Sequence, residues 1–268
     1  MDIHEIYSLD LPELEPYRTL RRPQQHIARG IFVAEGEKVV RRLLDSCLSV
    51  ISILLTAPWL EQIRKVHSLE GARIFVAEKK LLETIVGFRL HQGIMAVARV
   101  PQEPSLDQLL TNLPRPFLLI ALDGIMSAEN VGAIVRNAAA FGANGILAGA
   151  TSSSPYLRRA VRNSMGAIFR LPALHTDLRE ALSKIRSQCK TVAATPGGDQ
   201  SVTTTDFNGN LCVVFGNEGT GISEAVLELC DARVAITMQN ETDSLNVASA
   251  AAVFLYEIAR RRGPNLML

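Results

Sequence analysis

Short, continuous apolar runs recur along the second half of the chain: FLLIAL (Phe117 to Leu122), GILA (Gly145 to Ala148), TVAA (Thr191 to Ala194), LCVVF (Leu211 to Phe215) and RVAIT (Arg233 to Thr237). A half-exposed strand would alternate apolar and polar positions, so these runs predict strands of a mostly parallel sheet covered by helices on both faces. Helix signals stand between them. VGAIVRNAAAF stops at Gly142, a natural residue for a helix C-terminus, and DLREALSKIRSQC opens on Asp177 with Glu180 at capping-box spacing. The run SLNVASAAAVFLYEIARRR predicts a last helix from near Ser244, alanine-rich and closed by three arginines that suit a helix C-terminus. A helix with so many small residues packs tightly on something, in this chain or in a partner.

Upstream, VISILL (Val50 to Leu55), RIFVA (Arg73 to Ala77) and IMAVA (Ile94 to Ala98) alternate with helix-like stretches such as GEKVVRRLLDS from Gly36, which predicts a smaller α/β domain. The stretch PQEPSLDQLLTNLPRP, from Pro101 to Pro116, carries four prolines and interrupts the periodicity, apart from an amphipathic piece around Leu106 to Leu110. The expected division is residues 1–104 and 105–268, the second a doubly wound α/β domain. At 268 residues and 47% hydrophobic, the chain has the apolar content for two cores.

Charge adds little: Lys+Arg 28 against Asp+Glu 27 leaves +1, so a polyanionic partner would have to be met by local clusters. Cys47, Cys189, Cys212 and Cys230 are scattered without C-x-x-C spacing, which predicts reduced thiols and no zinc site. The start MDIHEIYSLDLPELEP lacks a basic segment followed by an apolar core, and no apolar run approaches the roughly 20 residues that cross a bilayer. The expectation is a cytoplasmic protein, neither secreted nor membrane-inserted. His4, His26, His67, His91 and His175 have no metal-like spacing, and Trp59 beside Pro58 reads as a packing residue. Aromatics at 5% argue against stacking on many unpaired bases.

Three polar segments follow strands of the second domain. The first, LDGIMSAENVGAIVRNAAAFGANGI (Leu122 to Ile146), places Asn130 at a loop–helix junction and Arg136 on the first turns, near the sheet edge where ligands bind in such folds. Asn130 reads equally as an N-cap and Arg136 as a solvated helix residue. The second, VVFGNEGTGISEAV (Val213 to Val226), sets Gly216, Gly219, Gly221 and Glu218 in a loop before a helix from about Ser223. It lacks the Walker lysine and the G-x-G-x-x-G spacing, and Glu218 would repel a phosphate. A zwitterionic or cationic small molecule held by backbone groups suits it better than a nucleotide; a ligand-free glycine turn also fits. The third, ITMQNETDSLNVASAAA (Ile236 to Ala252), returns a polar loop to the same edge, with Ser244 and Asn246 flanking Leu245 as helix caps or as partners of a reacting group.

Together, N-V-G-A-I-V-R (Asn130 to Arg136), G-N-E-G-T-G-I-S (Gly216 to Ser223) and S-L-N-V-A-S-A-A (Ser244 to Ala251) resemble the three ordered motifs of the SpoU/TrmH family, knotted methyltransferases of the SPOUT superfamily that act on RNA ribose 2′-hydroxyls. VRNSMGAIFRLP (Val161 to Pro172) is similar to the family's arginine-serine-glycine segment. RGIFVAEGEKVV (Arg29 to Val40) resembles the opening of the ribosomal-protein-like substrate-binding domain found in many members. Ser127, Ala128 and Glu129 depart from the acidic residue and proline of many relatives, and Asn217 stands where serine is common.

The resemblance implies an α/β fold in which a parallel-sheet domain, closed by a C-terminal trefoil knot, follows a smaller α/β substrate-binding domain. Knots are otherwise nearly absent, so this expectation rests on the likeness alone. It also implies a homodimer that shares its active site, and S-adenosyl-L-methionine as cofactor. Gly216, Ile236 and Leu245 match positions that bind the cofactor through backbone groups, with Gly221 and Thr195 as further pocket candidates. Asn130, Arg136, Glu218, Ser244 and Asn246 match the polar positions around the reacting ribose, and no metal is implied.

Methyl transfer is an in-line displacement, so most of the work is positioning. Arginine is protonated at every accessible pH, which favours Arg136 as an electrostatic stabiliser of developing alkoxide over a role as base. Glu218 would orient Arg136 or face the sulfonium. RNA would be gripped by Arg18, Arg21 and Arg22, by Arg41 and Arg42, and by Arg158, Arg159 and Arg162, although each cluster also reads as a solvated helix face. The two-domain layout leans toward ribosomal RNA; the alternatives are a transfer-RNA ribose methyltransferase and a catalytically silent RNA-binding homologue.

Overall fold

Strands buried on both faces must lie inside a helix–sheet–helix sandwich, and the apolar runs do so in a computed structural model that describes residues 2–86, 93–239 and 244–263. The chain divides into two compact units, Met1–Gln102 with Tyr156–Phe169, and Glu103–Pro155 with Arg170–Leu268. The segment Tyr156–Phe169, counted with the second domain in the sequence-based division, groups here with the first.

The first unit holds a five-stranded sheet of β1 (Asp2–Ile6), β2 (Ile31–Glu35), β3 (Val50–Leu55), β4 (Arg73–Ala77) and β5 (Ile94–Arg99) in the order β1-β4-β3-β5-β2. β1, β4 and β3 run parallel, and β5 is antiparallel to β3 and β2. One face packs Leu14, Tyr17, Leu54, Phe75 and Met95 into a core. Phe32 of β2 meets the rings of Tyr156 and Phe169, each with centroids 5.5 Å away. Glu35 at the end of β2, only 9% exposed, takes Arg158 at 2.6 Å and Arg162 at 3.4 Å. A buried charge left without partners is costly, and the two arginines offset that cost.

The second unit holds a seven-stranded sheet of β6 (Leu118–Asp123), β7 (Gly145–Gly149), β8 (Ala173–Thr176), β9 (Lys190–Ala194), β10 (Gln200–Ser201), β11 (Leu211–Gly216) and β12 (Ala232–Ala235). Their order is β10-β12-β9-β11-β6-β7-β8, and every neighbouring pair is parallel. The chain winds from β6 outward to β8, then crosses back to the strands on the far side of β11. The reversal opens a crevice at the C-terminal ends of β6 and β11, where Gly216 pairs with Asp123.

Four longer helices cover the sheet: Leu106–Asn112, Ala128–Ala140, Leu178–Ile185 and Val247–Arg262. The first has a complete capping box, Ser105 with Gln108, and the third is capped by Asp177. The last packs along Ala128–Ala140, with Ala251, Phe254, Leu255 and Ile258 buried and Asn137 Nδ2 donating to the Ala248 carbonyl at 2.9 Å. Among the described residues no helix is long and apolar enough to cross a membrane.

The arginines that end the last helix fasten it to neighbouring backbone. Arg261 donates to the Thr205 carbonyl at 3.0 Å; Arg262 donates to Phe207 at 3.1 Å, Phe117 at 3.3 Å and Gly209 at 2.7 Å. Hydrogen bonds from Arg260 and Arg261 hold the Glu257 carboxyl down at about 2. Removing Arg262 leaves carbonyls without this partner, and hydrogen bonds to charged groups are worth about 1.5–3 kcal/mol. Arg262→Ala is therefore expected to lower unfolding stability by about 2–3 kcal/mol in urea denaturation; an unchanged midpoint would mean that the clamp carries no net stability.

Candidate active site

The glycine loop after β11 folds back on itself. Asn217 and Gly221 exchange backbone hydrogen bonds at 2.9 Å each, and Gly221 sits at φ +72°. A Cβ on Gly216 would lie 2.3 Å from Ile222 N and 2.4 Å from Gly221 C, so only glycine lets the two ends of this turn touch. The loop walls one side of a pocket of about 320 Å³ at the C-terminal edge of the sheet. Thr195, Gly216, Gly221, Ile236 and Leu245, the five cofactor candidates, all line it, together with Glu218 and Ser244. Phe254 from the last helix also reaches it and meets Phe215 edge to face, 5.8 Å between centroids.

At the pocket's rim the three polar segments meet through side chains. Asn130 Nδ2 donates to Glu218 Oε1, and Asn246 Nδ2 donates to Asn130 Oδ1 at 3.2 Å. Asn246 Oδ1 in turn accepts from Ala248 N at 2.9 Å and Ser249 N at 3.4 Å. Asn246 thus caps the last helix and joins the row with opposite ends of one amide.

Several placements differ from the sequence-based expectations. The cap of Ala128–Ala140 is Ser127, whose hydroxyl accepts from Asn130 N at 3.2 Å, so Asn130 is the third residue of the helix and its side chain is free for Glu218. The last helix starts at Val247 rather than Ser244, because Asn246 provides the cap. Ser244 lies ahead of it in the pocket wall, and the neighbouring residues 240–243 of the polar loop lie outside the described residues.

Arg136 is not on the first turns: it is the ninth residue of a helix that begins at Ala128, about 9 Å along the axis from Asn130. It is exposed, makes no side-chain hydrogen bond or ion pair among the described residues, and does not line the pocket. Glu218 accordingly contacts Asn130, not Arg136.

The eight arginines expected to grip RNA all lie in the first unit, where basic side chains outnumber acidic ones; the second unit has the opposite balance. Arg21 and Arg22 are exposed, and Arg18 approaches Asp10 only at 3.9 Å. Arg41 pairs with Glu37 at 3.1 Å and lies 5.9 Å from the Trp59 ring centroid, so Trp59 is a half-buried partner of an arginine. Arg158 is 17% exposed and committed to Glu35, which makes it a structural residue of this unit; Arg162 shares Glu35 but stays half exposed.

Burial pushes the thiols of Cys189 and Cys230 up to about 11 and about 12 and raises Cys212 as well, while Cys47 is exposed. Among the described residues no group of three His, Cys, Asp or Glu side chains is arranged to hold a metal. His91 lies outside the described residues.

Pocket residues that sequence reasoning passed over include Ala194, Met238, Phe254 and Asn217. The first three are apolar and read as core in any sequence pattern. Asn217 stood out only as a departure from serine, yet its side chain makes hydrogen bonds to Gly219, Thr220 and Gly124.

Comparison with known proteins matches residues 117–256 to the SpoU rRNA Methylase family. A protein of Mycobacterium bovis named as an uncharacterized tRNA/rRNA methyltransferase is 32% identical over 271 residues, covering 97% of this chain and 93% of its own. The structure of an AdoMet-bound rRNA methyltransferase from Sinorhizobium meliloti superposes with a TM-score of 0.86 at 25% identity, covering 97% of this chain and 98% of its own. A structure described as an RNA 2′-O ribose methyltransferase superposes with a TM-score of 0.79 at 25% identity, covering 97% of this chain and 99% of its own. The parallel α/β sheet described above is the architecture they share with this chain.

Proposed function

Because this chain belongs to the SpoU rRNA methylase family, we propose that it transfers a methyl group from S-adenosylmethionine to a ribose 2′-hydroxyl of RNA, ribosomal RNA ahead of transfer RNA. One observation carries the reading: two segments distant in sequence wall one pocket, and a third is tied to that wall through Asn130, which is hydrogen-bonded to Glu218 and Asn246. The names of the related structures support the cofactor, the ribose position and the ribosomal substrate.

The pocket fits the cofactor. Its glycine loop has no side chains at Gly216, Gly219 and Gly221, so backbone groups meet the ligand directly, and Ile236, Leu245 and Phe254 supply apolar wall. Glu218 gives it an acidic rim, suited to a cationic ligand and hostile to a phosphate. When bound, S-adenosylmethionine supplies a methyl carbon on a positively charged sulfur that is a good leaving group.

The chain's own residues align the ribose and stabilise charge. Glu218 holds Asn130, and Asn130 holds Asn246, so these amides present fixed hydrogen-bonding groups to a ribose. Arg136, exposed and absent from the lining of its own pocket, offers its guanidinium to the developing alkoxide of a second subunit's site. The homodimer is supported by the last helix, where Ser249, Val253, Tyr256 and Arg260 form one exposed stripe, with Val253 at 38% and Tyr256 at 57% exposure. The trefoil knot and the cytoplasmic location belong to the same reading through the family likeness.

The test is transfer of labelled methyl from S-adenosylmethionine to unmodified total RNA, fractionated by size. Label in one ribosomal species is expected. Label in transfer RNA would move the substrate, and cofactor binding without transfer to any RNA would leave a silent RNA-binding protein. The first unit's exposed arginines predict where RNA docks: reversing Arg21 and Arg22 to Glu should weaken RNA binding about tenfold and flatten its dependence on salt. An unchanged affinity and salt slope would exclude that surface.

A further inference from the structure

The geometry points to Asn217 as a positioning residue that couples the cofactor loop to the helix carrying Asn130; this rests on the methyltransferase reading above. Its side chain works in two directions at once. Oδ1 accepts from Gly219 N at 2.8 Å and Thr220 N at 3.1 Å, which folds the glycine loop over the pocket. Nδ2 donates to the Gly124 carbonyl at 2.7 Å, in the connection between β6 and the helix Ala128–Ala140.

The contact is built rather than incidental. Gly124 lies at φ +68°, and a Cβ placed there would come within 3.7 Å of Asn217 Cβ, so the two loops are in close contact at this point. A second tie holds the far end of the glycine loop, where Ser223 N donates to Asp123 Oδ2 at 2.7 Å. The turn from Asn217 to Ser223 is therefore pinned at both ends to consecutive residues, Asp123 at the end of β6 and Gly124 just after it. Glu218, the next residue after Asn217, is the one that reaches Asn130. The register between the cofactor wall and the ribose-side amides thus passes through the Asn217 amide.

Only an amide of this length provides an acceptor for the turn and a donor for Gly124 together. Aspartate keeps the acceptor, loses the donor and sets a negative charge against the Gly124 carbonyl. Alanine loses both functions. If Asn217 couples the loops, the two substitutions fail differently.

In full-length protein, Asn217→Asp is expected to keep its dissociation constant for S-adenosylmethionine within about threefold, the scale of one marginal hydrogen bond. Its kcat for methyl transfer should fall about 10- to 100-fold, as small misplacements of reacting groups do. Asn217→Ala should lose cofactor affinity as well as kcat. Asn217→Ser, whose hydroxyl keeps an acceptor for the turn but is too short to reach Gly124, gives a milder break of the same link and a smaller fall in kcat alone. Cofactor binding reports that the Asp and Ser variants are folded, and circular dichroism with thermal melting reports it for the Ala variant. An unchanged kcat in Asn217→Asp, or affinity and kcat falling together equally in Asp and Ala variants, overturns the coupling while leaving the methyltransferase reading intact. A wild-type protein that transfers no methyl overturns that reading and the coupling with it.

Discussion

Arg136→Ala is expected to bind S-adenosylmethionine as the wild type does and to transfer methyl to RNA about 100- to 1,000-fold more slowly, the loss seen when one preorganised charge stabiliser is removed. Cofactor binding should survive because, among the described residues, Arg136 neither lines the pocket nor pairs with any residue that does. Transfer should not, because in this reading no other cation faces the developing alkoxide. The exposed position also predicts how the loss is repaired. Arg136 of one subunit completing the pocket of the other means that co-expressed Arg136→Ala and Gly216→Ala chains, each strongly impaired alone at limiting cofactor, form mixed dimers with one intact site, about half the wild-type complement. Activity in the mixed dimers supports sharing across subunits. Its absence, with mixed dimers demonstrated, would require each Arg136 to serve its own pocket.

The second large effect is at Gly216. Its Cβ would collide with backbone at 2.3 Å and 2.4 Å, and backbone has no flexible end to swing aside. Gly216→Ala must open the turn between Asn217 and Gly221, with strain of about 1–3 kcal/mol falling on the cofactor wall. Calorimetric titration should show S-adenosylmethionine binding weakened by about a hundredfold. Gly197→Ala is the matched control: nothing lies within 4 Å of an added Cβ there, and affinity should be unchanged. Equal affinities in the two variants would mean that the turn relaxes without cost and that Gly216 does not set the pocket.

The central strands were legible because burial on both faces leaves an unbroken apolar run: β6 and β11 carry five buried residues each and appear where FLLIAL and LCVVF predict them. β1 was not anticipated. It is an edge strand with four of its five residues exposed, so DIHEI offers no apolar signal. β8 and β10 are short edge pieces of four and two residues. The assignment of Tyr156–Phe169 to the first unit rests on Phe32 and Glu35, more than a hundred residues earlier in the chain, and no local pattern encodes such a pairing.

The site was legible as a set of residue types, not as a geometry. All five cofactor candidates line one pocket, and Gly216, Ile236 and Leu245 were picked out by the likeness to the SpoU/TrmH motifs rather than by any local pattern. The register of Arg136 was missed because Ser127, not Asn130, starts the helix, and serine and asparagine are equally good caps by type. Asn217 was marked only as a departure from serine, because its contact with Gly124 is one that only the fold brings about.

The central claim is chemical, and the most direct test is the product. Unmodified ribosomal RNA incubated with the purified protein and S-adenosylmethionine, digested to nucleosides and resolved by mass spectrometry, should yield one 2′-O-methylated nucleoside that is missing with Arg136→Ala. A methyl found on a base, or no methylated nucleoside from any RNA despite cofactor binding, would contradict the account.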